Sequence, residues 1–243
     1  MDHSHPVSAG APLPERPGLR PGSRYARLTH LLATDRCVML DGATGTELID
    51  GAGKRPEVDE HLWGVRAVLD SPDGVRRVHR RYVDVGCDVI STNTWGLPTA
   101  LRDGGPRMWE SARPVHWMDV ARQGVRLARS AAHQAGREDE VAVAFSINGD
   151  VDTTDGRETI RLLARAFEQE PPDLILLETL SLVRSSTYAT VESLMATGLP
   201  LWLSFRRCRH GVCGVYGEHW GGPEGDAFGR AAPCSSTASR PTT

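Results

Sequence analysis

The sequence contains no apolar run that approaches the ~20 residues needed to cross a lipid bilayer. Its formal net charge of -3 provides no basic surface of the kind that binds nucleic acid or an anionic membrane. Residues 1–28 lack an apolar core and are rich in proline and glycine, which excludes a secretory signal and predicts a disordered lead-in. We therefore expect neither nucleic acid nor a membrane as a partner of this chain.

The sequence also lacks the cysteines of a disulfide framework. It has five, an odd and small number for 243 residues, and without an export signal this predicts a reducing, cytoplasmic location. Cys37 and Cys87 lie beside apolar runs, so we predict that both are small buried hydrophobic residues.

Apolar runs that alternate with helical segments are present instead. Hydrophobic residues make up 40% of the chain and charged residues 24%, as in a globular protein. The runs are apolar almost throughout, which is typical of buried parallel strands. They cover residues 37–42, 87–94, 141–149, 173–180 and 199–205. Alternation of strands and helices predicts an α/β fold with a parallel sheet and right-handed crossovers.

The segments between these runs have the spacing of amphipathic helices. Residues 71–86 begin with Ser71 and Pro72, a good N-cap and first helical residue, and end at Gly86. Residues 118–136 and 157–170 repeat apolar side chains at every third or fourth position. We predict a helix in each of the three segments.

Each predicted strand ends in polar or small residues. In parallel α/β folds the carboxyl ends of the strands are where ligands bind, so these ends predict the rim of an active site. The ends are Asp41-Gly42, Thr92-Asn93-Thr94, the segment 146–149, Glu178-Thr179 and Ser204-Phe205.

Three motifs in order resemble the homocysteine S-methyltransferase family. They are "VMLDGATGTEL" (38–48), "VRRVHRRYVDVGCDVISTNTWG" (75–96), with a His and a Tyr on a helix, and "LILLETL" (174–180). The resemblance extends roughly over residues 30 to 232. It implies a (β/α)8 TIM-type barrel that transfers a methyl group from an activated donor to the thiol of homocysteine, giving methionine. The family uses zinc to activate that thiol, because a zinc-bound thiol is a thiolate.

The resemblance also assigns substrate-binding residues. Asp41 and Glu178 match the acids that hold the substrate amino group, and charge-assisted hydrogen bonds explain why two carboxylates would face one ammonium. The turn from Gly42 to Thr44 would offer backbone N–H groups to the substrate carboxylate. Asn93 matches a polar residue at the second strand end. No residue is assigned a catalytic role.

The C-terminal part departs from the family pattern. There the zinc cysteines follow the fifth strand, whereas here residues 223–232 resemble the start of a helix and residues 233–243 are of low complexity. We therefore expect a truncated chain with a partial barrel of about five β/α units at 29–232, an irregular tail at 233–243, and no metal ligands, although zinc is expected for the family. Because the zinc cysteines are lost, we expect the methyltransferase activity of this chain to be impaired.

A cysteine- and histidine-containing segment, 203–220, is the remaining candidate for metal binding. It holds Cys208, His210, Cys213 and His219, residue types that bind zinc. The two cysteines are spaced more widely than in a usual zinc knuckle, and Arg206, Arg207 and Arg209 would crowd a dication. We predict a lid over the site, with Tyr216 and Trp220 covering it, rather than a metal centre.

Two other functions stay open at this point. One is a non-catalytic binding or interaction fragment, because a partial barrel has open sheet edges that favour self-association. The other is a barrel lyase that binds phosphate, which is disfavoured because the phosphate loop of such barrels follows strands that are missing here. The motifs do not identify the methyl donor.

Overall fold

The computed structural model describes residues 23–51, 64–98, 116–149, 154–180 and 185–205, together with the backbone of 207–208, 211–213 and 219–220. Its helices are α1 (Ser23–Ala33), α2 (Thr44–Gly51), α3 (Ala67–Asp70), α4 (Pro72–Asp84), α5 (Trp117–Gln134), α6 (Thr154–Gln169) and α7 (Ser185–Met195). The main strands are β1 (Val89–Ser91), β2 (Ala142–Asn148), β3 (Leu174–Leu180) and β4 (Leu201–Phe205).

The main sheet is parallel and its strands follow chain order, β1-β2-β3-β4. A doubly wound sheet reverses direction at a switch point, whereas strands laid down in sequence place their crossovers on one face, as a barrel does. This strand order confirms the predicted (β/α) barrel-type fold.

The first predicted strand, at 37–42, is a single bridge in the structure. Leu40 pairs with Val89 in the parallel sense, and the Met39 carbonyl accepts the Val89 N–H at 3.1 Å. The side chains of Met39 and Leu40 are 52% and 41% exposed. Among the described residues, this segment has one neighbouring strand, β1. It runs parallel to β1 but does not form the continuous hydrogen bonds of a strand.

Side chains alternate between the two faces of the sheet. On the outer face they pack against the helices, and on the inner face small and aliphatic residues pack around Leu28 of α1. The outer residues include Ile90, Val143, Phe145, Ile147, Ile175 and Leu177, and the inner ones are Val89, Ala142, Ala144, Leu174 and Leu176. Two residues further along the strands, the inner positions become polar, at Ser91, Ser146 and Glu178.

Helix α1 lies at the amino ends of the strands. Leu28 is fully buried there, and Arg24 and Arg27 form ion pairs with Asp173 and Asp88 at 3.0 and 2.8 Å. The predicted lead-in at 1–28 is therefore too long, because its last six residues belong to this helix; residues 1–22 lie outside the described residues. Burial of an aliphatic side chain stabilises a segment that its composition alone predicts to be disordered.

The three predicted helices are present. Helix α4 begins at Pro72 after Ser71, and Gly86 beyond its end has a φ of 101°, which favours glycine. Helices α5 and α6 match the segments 118–136 and 157–170 to within a few residues. Cys87 is buried as predicted, but the prediction for Cys37 is wrong, since it is exposed beside the bridged segment.

A separate three-stranded antiparallel sheet follows β4. It consists of β5 (Arg207–Cys208), β6 (Gly211–Cys213) and β7 (His219–Trp220). The predicted lid and the zinc-type side chains of this segment lie outside the described side chains, and so does the tail at 233–243. In the part of the chain that the structure describes, no helix is long and apolar enough to span a membrane.

Candidate functional site

A cavity of about 510 Å³ opens at the carboxyl ends of β1, β2 and β3. Its wall combines the turn before α2 with the polar inner ends of the strands, which is where parallel barrels bind their ligands. The lining residues are Leu40, Asp41, Gly42, Ala43, Thr44, Gly45, Thr46, Ser91, Thr92, Asn93, Trp95, Ser146, Leu176, Glu178 and Thr179. All five predicted substrate-binding residues are among them.

Asp41 is held in the cavity by Ser91. The Ser91 N–H donates to Asp41 Oδ2 at 2.8 Å, and the Ser91 hydroxyl donates to Oδ1 at 2.7 Å. Both carboxylate oxygens therefore have a neutral donor from the end of β1. The bridge between Leu40 and Val89 brings the two segments together, so a short β-interaction is sufficient to place this carboxylate.

Glu178 is held by Ser146, whose hydroxyl donates to Oε1 at 2.6 Å. Ser146 is itself fixed by the two threonines that follow β1. Its N–H donates to Thr92 Oγ1 at 3.1 Å, and its carbonyl accepts from Thr94 Oγ1 at 2.7 Å. The threonine hydroxyls lie 2.6 Å apart, which completes a closed set of hydrogen bonds around Ser146. These buried threonines thus fix the position of Ser146.

The two carboxylates have raised pKa values. Burial raises the pKa of Asp41 to about 7, opposed by the hydrogen bonds from Ser91 and increased by the negative charge of Glu178. Burial also raises the pKa of Glu178, opposed by the Ser146 hydroxyl. Neither carboxylate has an ion pair with a described residue. A cavity with two such acids favours a cation, because a cation offsets the cost of ionising both.

The turn before α2 provides the opposite electrostatic character. Thr44 is the first residue of α2, it is buried, and its hydroxyl donates to the Gly42 carbonyl at 3.3 Å. The first N–H groups of a helix have no partner within it, and they carry partial positive charge. Gly42, Ala43 and Thr44 all line the cavity, so this helix end can receive a negatively charged ligand group.

Gly42 lies against α4. A Cβ atom at Gly42 would be 3.3 Å from the Tyr82 hydroxyl oxygen, so the glycine allows the turn and the helix to approach closely. His79, one turn earlier on α4, is fully buried, has no hydrogen-bond partner among the described residues, and its pKa is lowered to about 4 by burial. It is neutral at pH 7 and does not line the cavity.

Asn93 lines the cavity but already has a backbone partner. Its side-chain Nδ2 donates to the Gly64 carbonyl at 2.5 Å, which ties the end of β1 to the segment before α3. Gly64 has a φ of 80°, and a Cβ there would be 3.3 Å from Asn93 Nδ2. The amide hydrogen bond indicates a structural contribution from Asn93 in addition to any contact with a ligand.

The described lining of the cavity does not suit zinc. Its polar groups are carboxylate, hydroxyl and amide groups, whereas zinc sites in proteins are built largely from thiolates and imidazoles. Within the described residues, no group of three or more His, Cys, Asp or Glu could hold a metal ion. The described part of the cavity instead offers two carboxylates to a cationic group and the first N–H groups of α2 to an anionic one.

Ser91 was not predicted to take part in the site, and Thr92, Thr94 and Ser146 were predicted only as part of its rim, without a role as hydrogen-bond partners. A signal for the two serines does exist in the sequence, because alternation places each of them on the same face as the aliphatic residues two positions earlier. Neither carboxylate could be assigned its hydroxyl donor from sequence. The Asp41–Ser91 pair depends on the bridge between Leu40 and Val89, and the Glu178–Ser146 pair depends on the register of β2 with β3.

The sequence profile of the homocysteine S-methyltransferase family matches residues 38–218. Homocysteine S-methyltransferase 4 of Zea mays is 25% identical over 192 residues, which are 70% of this chain and 55% of that protein. Homocysteine S-methyltransferase 1 of Brassica oleracea var. italica is 24% identical over 216 residues, 79% of this chain and 62% of that protein. The chain thus spans little more than half the length of these curated relatives.

Solved structures show the same fold. The homocysteine methyltransferase MmuM from Escherichia coli, in its oxidised form, superimposes with a TM-score of 0.61 at 22% identity, over 86% of this chain and 73% of that one. Its metallated form gives a TM-score of 0.56 at 23% identity, over 76% of this chain and 67% of that one.

Proposed function

The chain belongs to the homocysteine S-methyltransferase family, and from that premise we propose that its cavity binds homocysteine for methyl transfer to the thiol, giving methionine. The observation that carries the proposal is the pair of carboxylates, Asp41 and Glu178, held by neutral donors and lacking a described cationic partner. An ammonium group between them would supply the missing positive charge.

Homocysteine fits the charge distribution of the cavity. Its ammonium group suits Asp41 and Glu178, and its carboxylate suits the first N–H groups of α2 beside Gly42 and Thr44. With both charged groups of the amino acid held, the thiol side chain is left to extend toward the open part of the cavity. Binding at two charged points orients the sulfur, which is the main contribution that these residues can make to a displacement reaction.

Methyl transfer itself needs a thiolate, and in this family zinc would supply it. The described lining offers no thiolate or imidazole for that ion, and the role we propose for the described residues is to bind and orient the substrate. The activated methyl donor is not identified by these residues. The odd number of cysteines supports a reducing compartment such as the cytoplasm, and self-association through open sheet edges stays a prediction.

Isothermal titration calorimetry with L-homocysteine, with and without added zinc, tests the proposal. We expect saturable binding at one site per chain in either condition, because the charged ends are recognised by the described residues. Two analogues act as controls: 4-mercaptobutanoate lacks the amino group, and homocysteine methyl ester lacks the free carboxylate. Each should bind at least about tenfold more weakly, as expected for loss of a charge-assisted hydrogen bond. Equal binding of all three compounds, or no binding of any, would contradict the proposal.

A further inference from the structure

Thr179 has an unusual backbone conformation at the edge of the cavity. Its φ is 59°, a left-handed value that is rare and strained for a β-branched residue. Among the described residues, the only other non-glycine residue with positive φ is Asp35, at 56°, in the turn after α1. Strain of this kind persists only where the surrounding structure holds it, and it is concentrated at functional sites.

The conformation changes which side chains face the cavity. Along β3, Leu174 and Leu176 lie on the inner face, while Ile175 and Leu177 lie on the outer face. Regular alternation would then place residue 179 outward and residue 180 inward. In the structure Thr179 lines the cavity and Leu180 is buried in the outer cluster, and the register with β4 shifts between Leu177 and Leu180. Glu178 and Thr179 therefore both face the cavity.

Hydrogen bonds to one carbonyl group hold this corner. The Glu178 carbonyl accepts the Gly149 N–H at 2.7 Å and the Thr179 hydroxyl at 2.7 Å. Gly149 must be glycine for this contact, because a Cβ there would lie 2.8 Å from the Glu178 carbonyl oxygen and 2.6 Å from a methyl carbon of Leu180. Gly149, directly after β2, thus fixes the backbone of Glu178 by a hydrogen bond at a distance so short that position 149 has no space for a side chain.

We propose that the left-handed corner at Thr179, held by Gly149, is a positioning element that orients the Glu178 carboxylate toward the substrate ammonium. The proposal rests on the proposed homocysteine site and assigns Thr179 and Gly149 a role in it. Glu178 needs such support more than Asp41 does, because the described residues give its carboxylate one donor, from Ser146, whereas Ser91 donates to both oxygens of Asp41.

Thr179→Gly is the sharpest variant, because glycine adopts the left-handed conformation without strain while removing the hydroxyl that bonds the Glu178 carbonyl. We expect the melting temperature to change by no more than a few degrees, since relief of strain and added flexibility oppose each other. The Kd for homocysteine should rise about tenfold, whereas the Kd for 4-mercaptobutanoate, which lacks the ammonium group, should stay the same.

Asp35→Gly is the matched control, since it makes the same kind of change at the other left-handed residue, which lies in the turn after α1 and does not line the cavity. It should leave both dissociation constants unchanged. Thr179→Asn is a rescue variant, because asparagine tolerates the left-handed region and keeps a polar side chain. Its ratio of the Kd for 4-mercaptobutanoate to the Kd for homocysteine should be close to the wild-type ratio. Gly149→Ala should lower this ratio of dissociation constants as strongly as Thr179→Gly does.

The outcomes separate this inference from the proposed function. If the wild type binds homocysteine and Thr179→Gly keeps the wild-type ratio of the two dissociation constants, the inference is wrong and the homocysteine site stands. If the wild type binds neither ligand, the proposed function is wrong. In that case an NMR titration of the Glu178 carboxyl still decides whether the corner controls it: the pKa should differ between wild type and Thr179→Gly, and an unchanged pKa overturns the inference.

Discussion

The two ends of the parallel sheet each hold a pair of acids, and the pairs differ in what surrounds them. At the amino ends, Asp88 and Asp173 are ion-paired with Arg27 and Arg24, which come from α1. At the carboxyl ends, Asp41 and Glu178 receive hydrogen bonds from serines and have no ion pair with a described residue. Acidic side chains are thus ion-paired with arginines at one end of the sheet, whereas at the other end they accept hydrogen bonds from neutral groups.

This difference changes the ionisation of the acids. At the amino end, burial raises the pKa of Asp88, but the Met39 N–H and the Arg27 guanidinium outweigh it, and the net shift is downward. At the carboxyl end, burial prevails and raises the pKa of Asp41 to about 7. Acids that the protein neutralises with its own arginines stabilise the fold, and acids left without a cation are available for a ligand.

Asp173→Ala should give the largest effect, on stability. The Asp173 side chain is 4% exposed, accepts two hydrogen bonds from Arg24 and one from the Val143 N–H, and lies 3.6 Å from Arg129. Its removal leaves the part-buried guanidinium groups of Arg24 and Arg129 without their counter-charge, which costs about 3–5 kcal/mol of unfolding free energy. Urea denaturation measures this loss. Asp139→Ala, at an exposed position, is the control, and a similar loss in both variants would contradict the difference between the two ends of the sheet.

The pH dependence of stability should have opposite signs at the two ends. Because the folded pKa of Asp41 lies above the unfolded value of 3.8, this residue favours the folded state at low pH and loses that contribution as the pH rises to about 7. The loss is roughly 2–4 kcal/mol. Asp88, with a lowered pKa, contributes stability above its unfolded pKa and loses it in acid. Denaturation curves from pH 3 to 8 should show Asp41→Asn losing less stability than the wild type between pH 4 and 7; parallel curves would refute this.

Glu178→Gln should weaken homocysteine binding by about 1–3 kcal/mol, the usual contribution of a hydrogen bond to a charged group. Its unfolding free energy should hardly change, in contrast to Asp173→Ala, because no described cation depends on Glu178. Calorimetry and urea denaturation on the same protein sample measure both quantities. Glu192→Gln, at an exposed position of α7, serves as the control. Unaltered affinity in Glu178→Gln would remove this residue from the site.

Arg27→Ala should give the smallest effect, about 1 kcal/mol of unfolding free energy. The Arg27 side chain is 33% exposed, so solvent weakens its attraction to Asp88, and the Met39 N–H remains as a partner of the aspartate. Arg66→Ala, which breaks a surface ion pair with Asp70 whose two side chains are 54% and 59% exposed, is the control and should cost less. An Arg27 variant as destabilised as Asp173→Ala would mean that the two ion pairs act as one unit.

Sequence patterns predict the buried strands best. The runs 141–149 and 173–180 become β2 and β3 almost residue for residue, because strands buried on both faces are apolar throughout. The first run, 37–42, is equally apolar but forms a single bridge, because a ladder depends on neighbours and not on composition. The N-terminal boundary was missed for the same reason: α1 is stabilised by contacts with strands far away in the sequence.

In the candidate site too, local sequence predicts some features, whereas others depend on tertiary contacts. Asp41 and Glu178 were predicted from local motifs, and the cavity brings them together. Their donors, Ser91 and Ser146, depend on sheet register, which short motifs do not encode. The left-handed conformation of Thr179 could not be predicted, because threonine disfavours it and only tertiary contacts impose it.

The position of α1 has a consequence for the order in which the chain folds during synthesis. Arg24 and its partner Asp173 are 149 residues apart in the sequence. At typical translation rates a ribosome needs roughly 7 to 30 s to add that length of chain. Until then the surface on which Leu28 packs is incomplete. Helix α1 is thus synthesised first among the described elements, but it packs against the sheet among the last. Such a long-range closure raises contact order and slows folding.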